Sequence, residues 1–200
     1  MKYQYDKQLI MLQPTSRYNK GIFKATLKQK AFPIKNKEQY GIKPASGTGV
    51  WASTILDEKE GCMSDWHRWM AWDMPSWIGH EGIQLWIKRT ARVYMVDTEQ
   101  DYKALIKSYP ACTFSNNGWG QLEPDEDGGC VDFVKMSQDF DIFWLTERGQ
   151  ADTRYGRHNL YGWDAESSLI LNNVIERFKK VTIKPHTLKG IPDYEKEYQG

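Results

Sequence analysis

The run Gly47-Thr48-Gly49-Val50-Trp51-Ala52-Ser53-Thr54 constrains this chain more than any other. Two closely spaced glycines admit a tight turn, the apolar residues behind them suit a strand, and the strand ends in small hydroxyl residues. Soon after comes Ser64-Asp65-Trp66-His67-Arg68-Trp69-Met70-Ala71-Trp72. Ser64 suits a helix N-cap, and Asp65 stands where the helix macrodipole favours an acid. Trp66, Trp69 and Met70 recur at i, i+3 and i+4 and so share one face. A strand and an amphipathic helix carrying large rings are the parts of an aromatic-walled cleft. Far along the chain, Gly162-Trp163-Asp164-Ala165-Glu166-Ser167-Ser168-Leu169-Ile170-Leu171 sets two carboxylates directly before another apolar strand.

At 200 residues the chain suits one domain, expected over 1–184 with a basic amino-terminal segment, followed by a polar tail over 185–200. Nine tryptophans and eleven tyrosines exceed what such a core needs, so some rings are expected to line a groove. The net charge of +1 argues against a chain that wraps nucleic acid with its whole surface. Charge is uneven, however: ten Lys or Arg lie within residues 1–44, against Asp6 and Glu38 alone. The three cysteines have no CxxC spacing, so neither a disulfide framework nor a zinc site is encoded, and a reducing cytoplasm is expected. There is no cleavable signal pattern and no run long enough to span a bilayer.

Hydrophobic periodicity and turn signals predict strands over 2–13, 50–53, 83–87, 92–96, 142–145, 169–171 and 181–183. Helices are expected from Ser64 towards Pro75 and from the capping-box-like Asp97-Thr98-Glu99-Gln100 to Pro110. Residues 18–46 and 113–129 read as loops, 146–161 as a polar, glycine-containing stretch, and 131–134 as the start of a helix or strand. Short strands outnumber helices. The fold class is therefore α+β: a single domain with a split, mostly antiparallel sheet and flanking short helices.

Several chemistries find no motif. Asp125-Glu126-Asp127-Gly128 fails the EF-hand spacing, and the four histidines lack any paired metal-ligand spacing, so no metal is expected. Neither a P-loop, nor GxGxxG, nor GxSxG occurs. What remains is Asp164 and Glu166. At i and i+2 on an extended backbone they would point to one face, where they could orient a sugar hydroxyl or stabilise an oxocarbenium ion. The blander alternative is that Asp164 ends a turn and Glu166 is an exposed acid.

The two segments together resemble the ADP-ribosyltransferase superfamily. Gly47-Thr48-Gly49-Val50-Trp51-Ala52-Ser53 is similar to the glycine-x-glycine-isoleucine-tyrosine-phenylalanine-alanine stretch of its poly-ADP-ribose polymerase and diphtheria-toxin side. Asp164-Ala165-Glu166-Ser167-Ser168-Leu169 is similar to the acid-x-glutamate element that opens a late strand in the arginine-serine-glutamate branch. The resemblance implies an ADP-ribosyltransferase-like fold with NAD as substrate. It implies that Trp51 stacks on nicotinamide beside Trp66 or Trp69, with Gly49 and Ser53 on the same wall and Arg17 filling the first-strand basic position. Glu166 would be the catalytic glutamate, and Asp164 the acid that selects the acceptor, an unidentified protein or nucleic acid. Trp51 replaces the family's tyrosine, Asp164 is shorter than the usual residue, and Ser53-Thr54 lacks the full serine-threonine-serine pattern. The reading requires Trp51 and Glu166 to meet across one pocket. The alternative from the residues alone is a non-enzymatic module, either a platform of Trp66, Trp69, Trp72 and Trp119 for nucleic acid or nucleotide, or an inhibitor-type protein acting on a host partner by its surface.

Overall fold

The computed structural model describes residues 3–4, 9–12, 31–37, 42–57, 63–74, 81–116, 122–155 and 158–182. Arg17, Trp119 and the polar tail over 185–200 lie outside them. Eleven strands are β1 (Tyr3–Gln4), β2 (Leu9–Leu12), β3 (Val50–Asp57), β4 (Met63–Ser64), β5 (Glu81–Ile87), β6 (Arg92–Val96), β7 (Pro110–Asn116), β8 (Leu122–Val131), β9 (Ile142–Leu145), β10 (Ser167–Ile170) and β11 (Ile175–Thr182). The helices among the described residues are α1 (Asp65–Asp73), α2 (Glu99–Ser108), α3 (Phe133–Asp139) and α4 (Glu147–Asp152).

The class is α+β, with a mixed sheet and a few short helices. One hydrogen-bonded path runs β1-β6-β9-β10-β3-β2-β5-β11, with β4 attached to β3, so the sheet is continuous rather than split. Among the described pairings only β6 with β9 is parallel; the rest are antiparallel. That parallel pair matters for the site, because Val96 and Leu145 stand side by side at its end and deliver Asp97 and Thr146 to the same edge. No helix among the described residues is long and apolar enough to cross a membrane.

Side-chain alternation sorts the core to the two faces of the sheet. On one face Val50, Ala52, Ile83, Leu85, Ile142, Trp144 and Ile170 form a buried cluster that runs across the sheet from β9 to β5. On the other, Phe143, Leu145 and Leu169 pack with Tyr102, Leu105 and Ile106 of α2, Phe133 and Met136 of α3, and Trp163. β9 and β10 are buried throughout, as expected of strands covered on both faces.

Three elements depart from the sequence expectation. The stretch read as a loop over 113–129 is, where described, a hairpin of β7 and β8. Backbone pairing there needs no apolar pattern, and the acids of Glu123 to Asp127 hid it. The last strand begins at Ile175, six residues before 181, and pairs along β5 although Glu176, Arg177, Phe178, Lys179 and Lys180 are exposed. The polar stretch over 146–161 holds α4, capped by Thr146, whose hydroxyl accepts from Gly149 N–H.

Candidate functional site

Glu166 stands one residue before β10, where the ladder to β3 has ended. In register with Ser168 opposite Ala52, it comes level with Thr54. Its carboxylate takes over from the missing strand. Oε2 accepts from Thr54 N–H at 2.8 Å and from Ser53 Oγ at 2.8 Å, while Oε1 accepts from Thr54 Oγ1 at 2.8 Å and from Trp144 Nε1 at 2.5 Å. A carboxylate offers about four lone-pair positions, and here all are used. The residue is 6% exposed, so its burial is matched by four hydrogen-bond donors.

The first turn of α1 fixes the backbone beneath that carboxylate. Asp65 Oδ2 accepts from Glu166 N–H at 2.8 Å, and Trp66 Nε1 donates to Ser167 Oγ at 2.7 Å. Asp65 is itself paired with Arg68 at 2.5 Å, and Arg68 reaches Glu147 of α4 at 3.3 Å. α4 lies hard against β6: a Cβ on Gly149 would stand 2.1 Å from Val96 O. Its neighbour Arg148 pairs with Asp97, and Thr146 Oγ1 donates to Asp97 Oδ1 at 2.5 Å.

These groups surround a pocket of about 430 Å³. Glu166, Thr54 and Trp144 line one part of it, Asp65 and Met95 another, and Asp97, Thr146, Glu147 and Arg148 the edge where β6 and β9 end. Four carboxylates against one arginine make the lining electronegative, a setting that favours cationic groups. Among the described residues no group of three or more His, Cys, Asp or Glu is arranged to hold a metal ion.

His67 supports the same helix end from inside. Its Nδ1 receives Ser64 N–H at 3.0 Å, so that nitrogen carries the lone pair and the proton of the neutral ring is on Nε2, which is buried without a partner. Burial lowers the His67 pKa to about 4.

No protein-family profile, curated protein or solved structure matches this chain.

Of the described residues singled out in the sequence, the structure brings Ser53 to Glu166 and leaves Gly49, Trp51, Trp66, Trp69 and Asp164 off the pocket that Glu166 lines, while Arg17 lies outside the described residues. Trp51 alternates to the opposite face of the sheet, where its ring lies 4.5 Å from that of Trp163 in the cluster containing Phe143 and Leu169. Lys43 Nζ covers it at 5.6 Å. Trp51 and Glu166 therefore do not share a pocket: the Trp51 ring is packed against Trp163 and is not part of the lining that Glu166 joins. Gly49, at φ +71°, belongs to the turn: a Cβ there would come within 2.7 Å of Leu169 and 2.9 Å of Ile34, so its role is close packing. Trp66 and Trp69 are half-buried and pack with Ile55, Met70 and Val181 instead of facing the pocket. Of the rings named for a stacking platform, Trp66 and Trp69 are half-buried and Trp72 is 55% exposed.

Asp164 is exposed in the bend before β10 and does not line the pocket, so the paired-carboxylate geometry is not formed. It acts instead on Lys43, whose pKa burial lowers and whose charge Asp164 supports. Thr54, Trp144, Asp65, Asp97 and Arg148 escaped the sequence reading as site residues. Only Thr54 carried a signal, as the hydroxyl following Ser53.

Proposed function

We propose that the chain breaks the nicotinamide–ribose bond of NAD and transfers ADP-ribose to a macromolecular acceptor, with Glu166 as the catalytic carboxylate. The observation that carries the reading is the convergence of Glu166 with the Ser53 and Thr54 hydroxyls, 112 to 113 residues away in sequence, on the wall of an electronegative pocket. This supports the carboxylate half of the resemblance. The requirement that Trp51 meet Glu166 across one pocket is not met, since Trp51 faces the other side of the sheet, so the stacking half of the resemblance is withdrawn and the proposal rests on the carboxylate and the two hydroxyls alone.

As the glycosidic bond lengthens, its electron pair leaves with nicotinamide and positive charge develops on the ribose. A fixed, desolvated anion stabilises that charge without having to reorganise. The acceptor nucleophile then bonds to the ribose carbon, and its proton passes to solvent. Since all four lone-pair positions of Glu166 are filled, a ribose hydroxyl gains access by displacing a donor that can rotate. The hydroxyls of Ser53 and Thr54 can rotate, whereas Thr54 N–H and Trp144 Nε1–H are fixed. Thr54 lines the pocket and is the natural one to yield.

The test is incubation of the purified chain with adenylate-labelled NAD, alone and with candidate protein and nucleic-acid acceptors. Free nicotinamide together with label on a macromolecule is expected. Folded protein that releases no nicotinamide under any of these conditions would overturn the proposal.

A further inference from the structure

We infer that a strip formed by Arg154, Tyr155, Tyr161 and Lys43 is a binding surface for single-stranded nucleic acid. Tyr155 and Tyr161 are the most exposed aromatics described, at 73% and 58%. The guanidinium carbon of Arg154 lies 6.0 Å from the ring centre of the first and 5.5 Å from that of the second, so one cation holds both. The segment carrying them is pinned at both ends. Leu160 N–H bonds Thr153 O at 2.8 Å, Trp163 N–H bonds Leu160 O at 2.7 Å, and Leu160 and Trp163 are buried.

Just beyond Tyr161 the strip continues into lysine. A Cβ on Gly162 would lie 3.8 Å from Lys43 Nζ, and Trp163 Nε1 donates to Ile42 O at 2.8 Å, which ties this segment to residues 42 and 43. Lys43 covers Trp51 and is close enough to Lys37 to feel its charge. Lys35 and Lys37 are exposed, and residues 31–37 and 42–46 contain no acid. Asp164 is an opposing charge close to Lys43.

Exposed rings interleaved with cations suit a single strand, whose bases stack on tyrosine while its phosphates meet Arg and Lys. A duplex hides those base faces. The surface is separate from the Glu166 pocket, so it stands or falls independently of NAD cleavage.

The test is fluorescence anisotropy with a labelled oligonucleotide of about 12 nucleotides, without NAD, for the native chain and for Glu166→Gln. Both should bind. Tyr161→Ala should weaken binding by roughly 5- to 100-fold and Tyr161→Phe should retain it, since only the ring is used. With the two cations of the strip, Arg154 and Lys43, on phosphates, raising salt from about 50 to about 500 mM should weaken binding roughly 25-fold. Circular dichroism establishes that each variant is folded. Absence of binding at low salt, equal affinity for the duplex, or unchanged affinity in folded Tyr161→Ala would each overturn the inference; the last two would leave a charge-only or protein-directed surface.

Discussion

Glu166→Gln should destabilise the fold as well as remove the proposed catalytic charge, and the size of the effect follows from the four donors around it. An amide presents one acceptor oxygen and one NH2 group. If the NH2 takes the Oε1 position it meets Trp144 Nε1–H, and if it takes the Oε2 position it meets Thr54 N–H. The Ser53 and Thr54 hydroxyls can turn to accept, but an indole or backbone N–H cannot. Either orientation leaves one buried donor without an acceptor, which costs about 1–3 kcal/mol, and weakens bonds that the charge had strengthened. A total of about 3 kcal/mol is expected. Urea unfolding followed by tryptophan fluorescence should show a lower midpoint with an unchanged slope, because the surface exposed on unfolding stays the same. A loss below about 0.5 kcal/mol would refute the reasoning, since it would mean that the carboxylate does not hold these donors.

Neutral His67 makes stability depend on mild acid. Its pKa falls from an ordinary value near 6.5 to about 4 on folding, so the unfolded chain binds the proton more readily between those values. Stability is complete above pH 6.5 and declines as pH falls through that window, by about 2.5 kcal/mol at pH 4.5; thermal melts of His67→Gln should lack this slope between pH 7 and 4.5. Gly149→Ala forces α4 away from Val96 O and should lower stability by about 1–3 kcal/mol, displacing Arg148 from the pocket edge; an unchanged melting temperature would contradict the close approach. Trp163→Ala empties the space between Trp51 and Phe143 and should cost about 3–5 kcal/mol by denaturant titration. Trp51→Phe should leave the Michaelis constant for NAD unchanged, since the ring belongs to the core.

The sequence was legible where local chemistry decides structure. Ser64 and the helical spacing of Trp66, Trp69 and Met70 give α1 and its packed face directly. β9 and β10 are apolar enough to announce burial, and the glycines before Val50 give the turn. The hairpin of β7 and β8 was hidden by its acidic turn-like composition, and β11 by an exposed run, Glu176 to Lys180, whose pairing along β5 leaves no alternating apolar pattern in the sequence. At the site, Ser53 and Glu166 could be paired from the resemblance, but the face each side chain takes depends on register across the sheet. Register sends Glu166 with Thr54 and Trp144, and Trp51 with Leu169 and Phe143. Asp97 and Thr146 join the pocket only through the parallel pairing of β6 with β9, a tertiary fact with no mark in either segment.

Nicotinamide release from NAD, measured side by side for the native chain, Glu166→Asp and Glu166→Gln at a temperature where all three remain folded, addresses the central claim most directly. The account predicts release by the native chain, sharply reduced release when the carboxylate is drawn back by one methylene, and none when the charge is removed. Equal release by native chain and Glu166→Gln would contradict it and leave Glu166 as a buried link between β3 and β10.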